Sequence, residues 1–273
     1  MSRGPQIVIV VLLIGVVALG GLLVTRGRHT QPSSSDVIVY APCGMTSPIG
    51  AAARLFRESH PDLQLNIVYH NAIVLVRRIR GGDRPDIFIS PGELEMRQMV
   101  EEGYVDPDTV RDFGTLDLVV FAPRTTQDLN AIDDLKKPHI KRIALAHPDY
   151  NSVGYYGKEA LKSLGLWDSL AGKIFQREYP LEAVTLVTSG QVDAGITYLT
   201  CPLDTAPDKA DKSAVRIVAK IPRDAYPPVR CQLGTLRDSK RRALAQQFID
   251  FMLSDQAQRA VAANGLCPAE EIQ

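Results

Sequence analysis

The feature that most constrains this chain is a repeated unit: an apolar strand-type run ends in small residues where a helix begins. Val37-Ile-Val-Tyr-Ala-Pro-Cys-Gly-Met-Thr46 is the first case. Pro85-Asp-Ile-Phe-Ile-Ser90 and Asp193-Ala-Gly-Ile-Thr-Tyr198 are the others. Continuous apolar runs of this length suit strands covered on both faces, as in parallel sheets. A strand that stops at a helix start presents backbone N–H groups with no intrahelical partner, and these hold anions. Repetition along one chain predicts an α/β fold with two lobes around a cleft for a small solute.

The rest of the body alternates in the same way. Helices are predicted over 49–59, 72–80, 93–102, 132–135, 153–164, 181–189, 239–253 and 255–263, several closed by glycine, such as Gly103 and Gly165. Strands are predicted over 63–69, 87–90, 116–122, 142–146, 194–199, 215–220 and 229–236, in a largely parallel arrangement. Ser152 is the expected cap of the helix at 153. The strands at 116–122 and 229–236 are the expected crossings between lobes. Lobe one then comprises residues 36–117 and 229–273, and lobe two residues 118–228.

Thirty-one basic residues balance thirty-one acidic ones. A neutral total argues against a nucleic-acid partner or an anionic lipid surface as the main function. The cluster Arg77-Arg78-Ile79-Arg80 reads as a solvated helix face. The N-terminus differs in kind. Ile7 to Val24 holds only apolar residues, glycine included, and is flanked by Arg3, Arg26 and Arg28. At about 1.5 Å per residue it extends about 27 Å, near the thickness of a bilayer core. Residues 1–28 are therefore expected to be an apolar helix that anchors the chain in a membrane, or a signal segment cut near Gly20. Residues 29–35 read as a polar linker. The first cysteine is Cys43, too far downstream for a lipoprotein anchor. Export places Cys43, Cys201, Cys231 and Cys267 in an oxidising compartment and predicts at least one disulfide among them. No CxxC is present.

Several segments together resemble the molybdate-binding receptors of bacterial ABC transporters, two-lobed periplasmic proteins of the type II class with crossing hinge strands. They are Pro85–Ser90; Gly157-Lys-Glu-Ala-Leu-Lys-Ser-Leu-Gly-Leu-Trp-Asp168; Ser189-Gly-Gln-Val-Asp-Ala-Gly-Ile-Thr-Tyr198; Pro222 with Pro227-Pro228; and Phe248-Ile-Asp-Phe-Met-Leu-Ser-Asp-Gln-Ala-Gln258. The match spans nearly all of 37–266. It implies a monomeric extracytoplasmic receptor that captures a small inorganic anion, molybdate or tungstate, and passes it to permease and ATPase subunits. It implies no cofactor and no enzymatic activity. In that family the oxyanion is held by hydroxyls and backbone N–H groups, without basic side chains.

Carried onto this sequence, the family's two serines fall on Gly44 and Ala72, so both hydroxyls are missing. One backbone donor falls on Val153. Another falls near Pro180, which has no N–H. The tyrosine is retained as Tyr198. The candidate ligand-binding residues are Cys43, Gly44, Met45, Asn71, Ala72, Ser152, Val153 and Tyr198, with His70 and the pair His147 and Asp149 as further polar groups near the cleft. Two alternatives remain open. One is the same fold with another anion, or with a soft metal held by Cys43 with Cys201, Met45 or His70. The other is a membrane-tethered sensor or partner protein with a degraded pocket. No nucleophile elbow, P-loop or HExxH motif supports catalysis.

Overall fold

The structure, a computed structural model, describes residues 36–204 and 214–268. The expectations for residues 1–28 and 29–35 lie outside that range. Among the described residues, no helix is long and apolar enough to cross a membrane.

The body carries two five-stranded sheets. The first uses β1 (Asp36–Pro42), β2 (Gln64–His70), β3 (Ile87–Ser90), β4 (Arg111–Leu116) and β10 (Val229–Thr235). The second uses β5 (Leu118–Pro123), β6 (Ile143–Ala146), β7 (Ile174–Arg177), β8 (Ala194–Tyr198) and β9 (Val215–Lys220). Their orders are β2-β1-β3-β10-β4 and β7-β6-β8-β5-β9. The plan is the same in both. Three parallel strands are followed by one antiparallel strand, β10 or β5, and then by an edge strand. The sheets are thus mixed rather than largely parallel. The cause is connectivity: β5 enters the second sheet, and β10 returns to the first, by a direct crossing with no helical crossover to reverse the chain.

Helices cover the sheets: α1 (Thr46–Ser59), α2 (Ala72–Arg80), α3 (Glu93–Glu101), α4 (Ser152–Ser163), α5 (Trp167–Leu170), α6 (Pro180–Thr188), α7 (Thr200–Asp204), α8 (Arg242–Met252) and α9 (Asp255–Ala262). Each long helix buries one stripe. In α1 the stripe is Ile49, Ala52, Ala53 and Phe56, and Phe56 meets Phe248 of α8 edge to face at 5.2 Å between centroids. In α3 the buried positions are Glu95, Met96 and Met99, an acid on an otherwise apolar face.

Most predicted elements lie within two or three residues of the observed ones. The strand expected at 116–122 is β5; a separate strand, β4, ends just before it, and Asp117 divides the two. Asp117 is 4% exposed and sits at the crossing. Its carboxylate is held by Arg223 Nε at 2.7 Å and Lys220 Nζ at 2.9 Å. Burial pushes this carboxyl up, but the two cations outweigh it and hold it below the usual range. Ser152 is not a cap. It is the first residue of α4, after Asn151, whose side chain makes no capping bond.

The expected disulfide is absent among the described residues: all four cysteines are thiols. Their neighbours explain it. The Cys231 thiol lies in central β10 and points to the Pro91 carbonyl at 3.9 Å. Cys267 sits beside Arg223 and Asp117. The Cys43 thiol donates to Asn71 Oδ1 at 3.7 Å, and Cys201 packs on the backbone of Gly44.

Candidate functional site

Every segment that lines the main cavity follows the carboxyl end of a strand. Pro42 to Met45 follow β1, Asn71 and Ala72 follow β2, and Pro91 and Glu95 follow β3. From the second sheet, Asn151 to Val153 follow β6, Pro180 to Val184 follow β7, and Tyr198 and Cys201 close β8. This is where open α/β sheets place their ligands, because strand ends are the one region the covering helices leave accessible. All of the residues expected from the sequence are brought together here: Cys43, Gly44, Met45, Asn71, Ala72, Ser152, Val153 and Tyr198. His70, His147 and Asp149 are not in its lining. The His70 ring accepts the Asn71 N–H at 2.9 Å, and His147 stacks on Tyr150 at the surface.

The cavity measures about 40 Å³. At about 10–15 Å³ for each water-sized group, it admits a cluster of three or so such groups. That is room for a small inorganic ion. The amino ends of α1, α2, α4 and α6 converge on it, through Met45, Ala72, Ser152 and Pro180. Each amino end carries partial positive charge; α6 leads with a proline, which has no N–H, and the leading N–H of α4 is already donated to Glu95. No Lys, Arg or His lines the cavity among the described residues.

Gly44 has a physical reason to be glycine. A Cβ there would lie 2.6 Å from the Cys201 Sγ, so the thiol fills the space a serine side chain would need. Tyr198, 3% exposed, donates its hydroxyl to Ser152 Oγ at 3.0 Å. Burial drives its pKa well above the ordinary tyrosine value.

Glu95 was read from the sequence only as part of a helix. It is 3% exposed, and its Oε1 accepts the Ser152 N–H at 3.0 Å, the leading donor of α4. Its Oε2 is buried with no hydrogen-bond partner among the described residues. Burial pushes the carboxyl up, against the pull of the Ser152 N–H and the Ser152 and Ser90 hydroxyls. The sequence signal was available: Glu95 shares a helix face with Met96 and Met99, where an acid is out of place.

Arg77 of α2 bonds Glu178 at 2.7 Å and Tyr179 at 2.9 Å, so it reaches from the first lobe to the second at the cavity's edge. Arg78 pairs with Asp83, and Arg80 with Glu102. Among the described residues, no three His, Cys, Asp or Glu side chains are grouped as a metal ion would need.

Comparison with known proteins agrees with this geometry. The family described as bacterial extracellular solute-binding proteins matches residues 37–266. The chain belongs to that family. One relative, YvgL of Bacillus subtilis, provisionally described as an ABC transporter substrate-binding lipoprotein, is 25% identical over 251 residues, covering 89% of this chain and 93% of its own. The molybdate-binding protein ModA of Escherichia coli is 26% identical over 226 residues, covering 81% and 84%. Among solved structures, the sulfate-binding protein SubI of Mycobacterium tuberculosis superposes with a TM-score of 0.71 at 18% identity, covering 87% and 88%, which is a likeness of fold. This protein is an extracytoplasmic solute-binding protein of an ABC transporter and not an enzyme.

Proposed function

We propose that the protein captures a small tetrahedral oxyanion, molybdate or tungstate in the first place, between its two lobes and delivers it to permease and ATPase subunits. The observation that carries this reading is the convergence of four helix amino ends on a cavity of ionic size that, among the described residues, has no basic side chain in its lining. A desolvated dianion is well matched by such fixed dipoles. Cys43, Gly44, Met45, Asn71, Ala72, Ser152, Val153 and Tyr198 are the contact residues in this reading. The named ligands of the relatives, molybdate for the Escherichia coli protein and sulfate for the Mycobacterium tuberculosis one, belong to the same chemical class. Residues 36–117 with 229–273 form one lobe and 118–228 the other. Residues 1–28 tether a monomeric receptor to the cytoplasmic membrane.

Thermal unfolding of the full-length chain with about 1 mM molybdate, tungstate, sulfate or phosphate tests this. A ligand bound to the native state raises the midpoint with ln(1 + [L]/Kd). The expected result is a rise with one or more of these dianions. No rise with any of them would overturn the oxyanion reading and favour a partner protein whose pocket no longer binds.

A further inference from the structure

We propose that Glu95 determines the specificity of this cavity: as a neutral acid it donates its Oε2 proton to the bound oxyanion, and as a carboxylate it takes the anion's place at the head of α4. The proposal rests on the oxyanion reading above and deepens it.

Two independent observations carry it. First, Glu95 Oε1 already accepts the Ser152 N–H, the leading donor of a twelve-residue helix. That position is where a bound anion would sit. Second, Oε2 is buried and without a hydrogen-bond partner among the described residues, on a residue that lines the same cavity. A buried carboxyl oxygen in that state needs a partner from the ligand. Ionised, it needs a donor and repels an anion. Protonated, it is a donor that needs an acceptor, which an oxyanion supplies. No cation in the cavity lining offsets an ionised Glu95.

The surrounding groups decide which form prevails. Ser152 and Tyr156 face Glu95 from α4, Tyr198 from β8 and Ser90 from β3. Cys43 and Cys201 lie across the cavity. Toward solvent, Arg77 and Arg80 of α2, Gln98 of α3, and Asp149 and Tyr150 of the loop before α4 surround a neighbouring groove that Glu95 also touches. Those two arginines are engaged elsewhere, by Glu178 and Tyr179 and by Glu102. Burial holds Tyr156, Tyr198 and Cys231 in their protonated forms through neutral pH and raises the Glu95 carboxyl as well. A neutral Glu95 then supplies a donor to a site whose expected serine hydroxyls are absent at Gly44 and Ala72. The arrangement makes anion capture depend on a proton that the protein itself carries.

The test is equilibrium binding of sulfate and of molybdate to the full-length chain from about pH 5.5 to about pH 8.5, where both probes stay dianionic. The wild type should weaken about tenfold per pH unit once the pH passes the pKa of the buried carboxyl. Glu95→Gln offers an N–H that cannot ionise, so it should bind with a flat profile. Glu95→Leu, which offers no donor, should bind at least about tenfold more weakly than Glu95→Gln at every pH. Thermal unfolding of each variant confirms that it is folded, and the wild-type profile stands whether or not Glu95→Leu folds. Tight binding by the wild type with a flat profile, or binding that strengthens as pH rises, would overturn the role of Glu95 and leave the oxyanion reading intact. No binding by wild type or Glu95→Gln at any pH would overturn both.

Discussion

The two walls of the cavity are assembled alike and finished differently. Each is made of segments that follow strand ends and lead into helices. On the wall from the first sheet, the groups nearest the cavity are a thiol, an amide and a carboxyl: Cys43, Asn71 and Glu95. On the wall from the second sheet, the helix start at Ser152 and Val153 is kept, and Tyr198 braces it from below. The walls also differ in stiffness. A Cβ on Gly44 would press on a cysteine sulfur, the end of a side chain that can rotate away. A Cβ on Gly154 would lie 2.3 Å from the Ala146 carbonyl oxygen, which is backbone. The second wall is therefore fixed by main chain against main chain, and the first is adjustable by side chain.

The largest expected effect tests that difference. Gly154→Ala should destabilise the protein by about 3 kcal/mol or more, because neither α4 nor β6 can yield. Gly44→Ala should cost only about 1 kcal/mol, and the cost should fall when it is combined with Cys201→Ala, whose thiol is the obstacle. Chemical denaturation of the single and double variants measures both. Equal losses at the two glycines would erase the contrast between a rigid and an adjustable wall.

Next in size is a pH effect confined to the first wall. The native Glu95 carboxyl holds its proton more tightly than the unfolded one, which titrates near the ordinary glutamate value of 4.5. The native state then binds more protons than the unfolded state above that pH, so stability falls as pH rises. The contribution is complete below the unfolded pKa and is lost as pH climbs to the folded one. Each unit of separation is worth about 1.4 kcal/mol. Glu95→Gln lacks the term. Its unfolding midpoint should gain on the wild type steadily as pH climbs from the unfolded carboxyl's pKa toward the folded one. A constant difference across that range would mean that Glu95 is ionised in both states.

The sequence made the scaffold of both walls legible, and the contacts across them much less so. Strand ends, helix starts and the retained Tyr198 are written in apolar periodicity and small residues, which act locally. That is why β3, α2 and β9 fall within their predicted bounds. β4 was missed because Asp112 and Gly114 interrupt its apolar run, and β7 because it is short and none of its four residues is fully buried. The sheets came out mixed because strand direction depends on how the chain crosses between lobes, which no local pattern encodes. In the first wall, the missing hydroxyls were legible, but what replaced them was not. Cys201 reaches Gly44 across 157 residues of chain, and Glu95 meets Ser152 across 57. Such pairings are set by tertiary packing, so Gly44 read as a loss when it is a close contact, and a disulfide was expected where the thiols have other neighbours.

Tyr198→Phe should have a smaller effect, and it separates bracing from binding. The variant removes the hydroxyl that donates to Ser152 Oγ, at a cost of about 1 kcal/mol in stability. In the proposed site it also weakens anion binding by about 1–2 kcal/mol, by loosening the head of α4 or by removing a direct donor. Isothermal titration reads the second effect, and denaturation reads the first. A loss of stability with unchanged affinity would make Tyr198 a packing residue of the second wall and shift the anion's contacts toward Cys43 and Asn71.

The smallest effect belongs to the contact that joins the walls. Arg77 and Glu178 are about half exposed, and their burial shifts neither charge strongly; the Arg77 bond itself holds the Glu178 carboxyl below its ordinary range. Exposed pairs contribute little and are screened by salt. Arg77→Ala should therefore leave the unfolding midpoint nearly unchanged. Its effect should fall on the lobes' relative motion, because Arg77 bonds both Glu178 and Tyr179 across the cleft edge. A bond made only when the lobes are together stabilises the closed form, so its removal should speed ligand release more than it slows capture. Stopped-flow dissociation at low salt would show the faster release, and the gap from wild type should close at high salt. Identical release rates at low salt would mean that the two walls are held together by the Glu95 contact with Ser152 rather than by charge at the rim.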